Sequence, residues 1–176
     1  SLDPTYAEAF GNLGNFFKNQ NDSQNAILNY KTAIILKPSL IDTHNSLGAV
    51  FIELGKFDDA INVFENAISI EPNNPKTINN LAKAYWKTGA YHTAVQAYEK
   101  LISLQPDIAA AHHNLGVALH QMGKFSKAVD VLQKALLVNP NYIPAFITLG
   151  KIHLDQGRVE LSEKLCKAAI KQDPRH

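Results

Sequence analysis

An all-α solenoid of five stacked helix–turn–helix repeats is the fold class this sequence predicts, and three observations carry it. Pro4, Pro38, Pro72, Pro106, Pro140 and Pro174 stand 34 residues apart. Leu13, Leu47, Leu81, Leu115 and Leu149 keep the same interval, each followed by a small residue: Gly14, Gly48, Ala82, Gly116 and Gly150. Thirteen residues beyond each leucine come Ala26, Ala60, Ala94, Ala128 and, altered, Ser162. A fixed period without insertions marks an architecture in which no repeat buries its apolar face alone. Residues 1–176 are therefore expected to form a single array with repeats at about 7–40, 41–74, 75–108, 109–142 and 143–176. Residues 1–6 are expected to be the tail of a preceding repeat.

Each repeat is expected to hold two amphipathic helices. Over 109–122, Ala111, His112, Leu115, Ala118, Leu119 and Met122 recur at spacings of three and four, a helical stripe. Gly123 should stop this helix, because glycine enters the left-handed region at little cost. Gly55, Gly89 and Gly157 share its offset, and the first repeat has Asn21, the other residue that tolerates that conformation. A second helix over about 125–138 carries Phe125, Ala128, Val129, Leu132, Ala135 and Leu136 on one face and ends before Pro140. Gly116 and Ala128 should let the paired helices approach to about 8–10 Å.

At the start, Ser1-Leu2-Asp3-Pro4 matches the repeat ending Ser69-Ile70-Glu71-Pro72, so the chain reads as a fragment of a longer array. At the other end only Arg175 and His176 follow Asp173-Pro174, leaving the last repeat uncapped.

Composition narrows the function. Hydrophobic residues make up 45% of the chain, which is globular rather than disordered. Seventeen basic residues against sixteen acidic ones leave +1, without the basic field that nucleic acid requires. No apolar run approaches the ~18–20 residues of a membrane span, and no secretory leader is read at the start. The lone Cys166 carries no sign of an oxidising compartment, so an intracellular setting is expected, with the thiol as a small core residue. Among seven histidines, His113 and His120 could share a face with His112 alongside, but no cysteine or carboxylate joins them to complete a zinc site. His44 and His112 read instead as packing residues. No phosphate loop, nucleophile–base pair or carboxylate pair is found, so neither catalysis nor a cofactor is expected.

The spacing resembles the tetratricopeptide repeat (TPR) over essentially the whole chain. The first repeat supplies Phe10, Leu13, Gly14, Phe17, Asn21, Ala26, Tyr30, Ala33 and Pro38. The second supplies His44, Leu47, Gly48, Phe51, Gly55, Ala60, Phe64, Ala67 and Pro72. The fifth departs most, with His153, Ser162 and Cys166 in place of an aromatic, an alanine and an aromatic, so its second helix should pack more loosely. The resemblance implies a right-handed superhelix whose first helices line a concave groove that binds proteins.

Just before each repeat's leucine stands a short polar residue: Asn12, Ser46, Asn80, Asn114 and Thr148. Asparagine can hold a peptide's backbone N–H and C=O together, so such a ladder suits an extended peptide of any sequence. The run resembles the asparagine ladder in the TPR superhelix of O-linked N-acetylglucosamine transferase. The alternative is that these residues bond a neighbouring repeat.

In the third repeat Lys76, Asn79, Asn80, Lys83, Trp86 and Lys87 should crowd one helix, around the only tryptophan. They would suit an acidic or carboxylate-ended peptide with an apolar anchor. Against this, Trp86 would fill a gap between helices while the lysines are solvated. Asn15, Asn45, Asn79 and His113 complete the candidate groove set.

The carboxylate clamp of chaperone-binding family members fits poorly. Asn15, Ser46 and Lys76 match it, but Gly11 and Asn80 stand where it requires basic residues.

The leading expectation is a non-catalytic scaffold for a peptide or partner protein. The substrate-recognition segment of a larger enzyme such as a peptide glycosyltransferase is one alternative. Self-association through the uncapped terminal repeat is the other.

Overall fold

The computed structural model of the chain describes residues 4–172, all but the extreme termini. Ten helices run through them, with no strand among the described residues. They fall into two compact units, 1–90 and 91–176. The first contains α1 (Pro4–Asn19), α2 (Ser23–Leu36), α3 (Ile41–Glu53), α4 (Phe57–Ile70) and α5 (Pro75–Lys87). The second contains α6 (Tyr91–Leu104), α7 (Ala109–Gln121), α8 (Phe125–Val138), α9 (Ile143–Asp155) and α10 (Val159–Gln172). Of the expected tail at 1–6, residues 1–3 lie outside the described residues and 4–6 belong to α1. The closing Pro174 and its neighbours also lie outside.

Within each unit successive helices pack on one another: α1 on α2, α2 on α3, α3 on α4, α4 on α5, and α6 through α10 in the same way. Odd-numbered helices also touch across one interval, α1 with α3, α3 with α5, and α7 with α9. The turn inside a repeat follows the expected chemistry. Asn21 takes φ 60° and Gly123 takes φ 70°. In the first turn Asp22 N–H then reaches back to the Phe17 carbonyl at 2.9 Å, and in the other Lys124 N–H reaches the Leu119 carbonyl at 2.9 Å.

The core repeats one device. The glycine after the conserved-offset leucine receives a large side chain from the next helix. A Cβ on Gly14 would lie 2.5 Å from the Tyr30 ring, on Gly48 2.4 Å from Phe64, and on Gly116 2.6 Å from Leu132. Tyr30, Phe64 and Leu132 are fully buried, as are Ala26, Ala60 and Ala128. In the first unit Tyr30 and Phe64 join Leu47, Val50, Phe51, Leu81 and Ala84 in one cluster.

One leucine departs from its equivalents, and one expectation is corrected. Leu13 is 41% exposed whereas its equivalents are buried, because no helix covers that side of α1 among the described residues. Cys166 is exposed rather than a core residue. Its small thiol stands where other repeats have an aromatic or leucine, and a Cβ on Gly150 would still clear it by 3.4 Å. Only Ser162 and Ala169 are buried on α10, and Val159, Leu161 and Ile170 stay exposed. His44 and His112 are buried as packing residues, each ring Nε2 within 2.8–2.9 Å of a proline carbonyl, Pro38 and Pro106 respectively.

The contrast between these glycines is measurable. Gly116→Ala should destabilise the array by about 1–3 kcal/mol through overpacking against Leu132. Gly150→Ala meets only ordinary contacts and should be neutral or gain up to about 1 kcal/mol of helix propensity. Urea denaturation of the two variants checks both signs.

Candidate functional site

In the first unit the odd helices α1, α3 and α5 present one side chain after another along a shared face. Three ion pairs cross or flank it: Lys37 to Glu8 at 2.9 Å, Lys76 to Asp42 at 2.8 Å, and Lys18 to Glu53 at 3.3 Å. All involve exposed groups, so each contributes about 0–1 kcal/mol and is weakened by salt. Lys76 is thus held by the preceding repeat.

A buried relay joins α3 to α5. Asn80 Nδ2 donates to Asn45 Oδ1 at 3.2 Å, and Asn45 Nδ2 donates to Thr77 Oγ1 at 2.9 Å. The Thr77 hydroxyl donates on to Asn74 Oδ1 at 3.0 Å, and Asn74 also accepts the Thr77 N–H as the N-cap of α5. Asn45 is 2% exposed and Thr77 fully buried. Asn45 therefore serves as a strut beneath the face, while Asn80 remains half-buried with its edge available.

The outer part of α5 is more open. Lys83 and Lys87 are exposed and Asn79 and Trp86 half-buried. Lys87 Nζ lies 5.3 Å from the centre of the Trp86 ring, a cation–π contact, and Trp86 Nε1 makes no hydrogen bond among the described residues. A half-buried aromatic with one ammonium group over its ring and a second exposed lysine on the same helix can hold a carboxylate and an apolar anchor together.

Between α1 and α3 a pocket of about 230 Å³ opens, lined by Glu8, Gly11, Asn12, Asn15, Thr43 and Ser46 among others. Asn12 and Asn15 are exposed here. Tyr30 donates its hydroxyl to Asn15 Oδ1 at 2.8 Å, which turns the Asn15 N–H₂ outward. Burial raises the Tyr30 phenol, against a hydrogen bond with Ser46, so it stays a donor.

In the second unit the same offset is bridged by His113, whose Nε2 meets Thr148 Oγ1 at 3.0 Å. Thr148 donates its proton to the Pro144 carbonyl at 2.9 Å, so His113 Nε2 carries a hydrogen and donates to Thr148 Oγ1. Burial holds His113 below the usual imidazole range, and a hydrogen bond with Asn114 works the other way. The Tyr142 ring stands edge-on to it at 5.6 Å. Asn114 is half-buried beside it. About two turns farther along, His120 Nε2 lies 2.8 Å from Asp155 Oδ2. No group of three or more metal-binding side chains is found among the described residues.

Sequence reasoning overlooked Thr77, the partner of Asn45, and Thr43, which lines the pocket at the equivalent position, and it read Thr148 only as a ladder residue. The signal was available at the fifth position of each repeat, where Gly11, Asn45, Asn79, His113 and Ile147 stand. From that position Asn45 and His113 reach the next odd helix.

Two outcomes follow. Asn45→Ala should cost about 1–3 kcal/mol in urea denaturation, because Thr77 loses a buried donor and Asn80 an acceptor. For His113 the folded chain resists a proton that the unfolded chain accepts, so its contribution to stability is present above the ordinary imidazole pKa and lost as pH falls below it. Melting temperatures from about pH 7 to 5.5 should fall less steeply in His113→Gln than in the wild type.

Comparison with known proteins agrees with this architecture. Residues 48–89 and 87–123 match the family described as TPR repeat, and 7–40, 109–142 and 143–176 match tetratricopeptide repeat. No curated protein matches the chain significantly by sequence. Among solved structures, MamA 41-end from Desulfovibrio magneticus RS-1 is 18% identical, with 97% of each chain covered and a TM-score of 0.89. PilF of Pseudomonas aeruginosa is 19% identical, with 96% of this chain and 77% of the other covered and a TM-score of 0.81. YrrB, described as a TPR protein with an unusual peptide-binding site, is 20% identical, with 95% and 86% covered and a TM-score of 0.77. At these identities the likeness is one of fold. With repeats matched along nearly its whole length, the chain belongs to the tetratricopeptide repeat family, a helical-repeat scaffold for protein interaction.

Proposed function

We propose that this chain is a non-catalytic scaffold that binds an extended peptide along the face of the odd-numbered helices α1, α3 and α5 of its first unit. The observation that carries the reading is on α5, where half-buried Trp86 stands beside exposed Lys83 and Lys87. Such a cluster matches a ligand with acidic groups around an aromatic or apolar anchor. Asn79 and Asn80 on the same helix, and Asn12 and Asn15 on α1, supply donors and acceptors for an extended backbone; within the second unit His113 and Asn114 on α7 offer the same kinds of group. Asn45 supports the face from beneath, and Lys76 offers charge only when it leaves Asp42. The description of YrrB as a peptide-binding TPR protein favours this class of ligand over a small molecule.

The test is capture of an immobilised library of short Asp- and Glu-rich peptides, each with one aromatic residue. Trp86→Ala combined with Lys83→Ala should weaken capture at least about tenfold, the loss expected of a tryptophan-centred hot spot. Circular dichroism should show the array still folded. Unchanged capture by the folded variant would place binding elsewhere.

A further inference from the structure

The pocket between α1 and α3 exists because one strut is missing. In the next interval Asn45 spans from α3 to α5 and fills the equivalent space with its carboxamide, donating to Thr77 Oγ1 and accepting from Asn80. The residue at the Asn45 offset in α1 is Gly11, and the residue at the Thr77 offset in α3 is Thr43. A Cβ on Gly11 would point at Thr43 Oγ1, 3.2 Å away. Thr43 is 9% exposed, lines the pocket, and its hydroxyl makes no hydrogen bond among the described residues. Its hydroxyl opens onto the pocket with both donor and acceptor capacity to offer a ligand. On the outer wall Asn15 presents its N–H₂, with its oxygen held by Tyr30.

From this we infer that the pocket takes the carboxamide side chain of an asparagine or glutamine in the bound peptide. The ligand amide N–H donates to Thr43 Oγ1, as Asn45 does to Thr77, and its carbonyl accepts from Asn15. The inference rests on the peptide-binding reading above and gives one position of that peptide a chemical identity. A basic side chain is the competing occupant, since Glu8 and Asp42 stand on the rim. Both carboxylates already hold lysines, Lys37 and Lys76, which leaves the rim near neutral. A neutral group with a donor and an acceptor therefore matches the wall better than a cation.

Synthetic seven-residue peptide libraries test this, with one position fixed in turn as Gln, Asn, Leu, Lys or Arg and the rest randomised. At one position Gln or Asn should raise capture by wild type at least about fivefold over Leu, Lys and Arg, the worth of one satisfied polar contact. Gly11→Asn should abolish that preference by rebuilding the strut. Thr43→Val, which keeps shape and removes the hydroxyl, should abolish it too, without lowering the melting temperature. A preference for Lys or Arg would overturn the proposal, as would a Gln/Asn preference that survives either substitution. Capture indifferent to the fixed residue but still lost in the Trp86→Ala, Lys83→Ala variant would overturn the pocket alone. Failure to capture any library would overturn the peptide reading with it.

Discussion

How closely two helices of a repeat can approach is the constraint on which everything else depends. Where Gly14, Gly48 and Gly116 omit a side chain, Tyr30, Phe64 and Leu132 take the vacated volume and are sealed from water. Each such insertion buries a large side chain, and burial of this kind is the dominant favourable term in folding. The two features are reciprocal: a larger residue at the glycine would exclude the side chain, and a smaller one opposite would leave a void. The last repeat shows the second case. Cys166 faces Gly150 loosely and α10 buries little, so close approach alone does not secure a helix pair.

Once the pairs are set, the odd helices lie near enough to one another for side chains to bridge them. The bridges are polar: Asn45 to Thr77 and Asn80 in the first unit, His113 to Thr148 in the second. Fully satisfied buried hydrogen bonds add modest stability but strongly oppose misplacement, since a slipped register would strand their donors. They also consume groups that a sequence reading assigns to a ligand. The face proposed for a partner is therefore narrower than the row of polar residues implies. It is strongest where α5 shows Trp86, Lys83 and Lys87, and where Gly11 omits a bridge.

Much of this was legible in advance. The interval between prolines, the leucine followed by a small residue, and the glycine or asparagine at each turn located the helices with little error. The expected second helix of the fourth repeat coincides with α8, Phe125–Val138. These features are local, and the physics that reads them is local too: periodicity of three and four, left-handed turns at Asn21 and Gly123, and the helix-ending effect of proline. The packing roles of His44 and His112 were also visible, because they occupy an offset that elsewhere holds aromatics.

What the amino-acid order determined by itself is the repeat, the helices, the family and the offsets that point away from the core. Only the tertiary structure decided which polar residues at those offsets are struts and which are free. Asn45 and Asn12 are the same residue type at adjacent repeat positions, yet one is buried in a relay and the other is exposed. That difference comes from partners contributed by a helix more than thirty residues away, Thr77 in one case and none in the other. Leu13 departs from its equivalents, and Cys166 from expectation, for the same reason, since burial belongs to the neighbours a side chain meets and not to the helix that carries it.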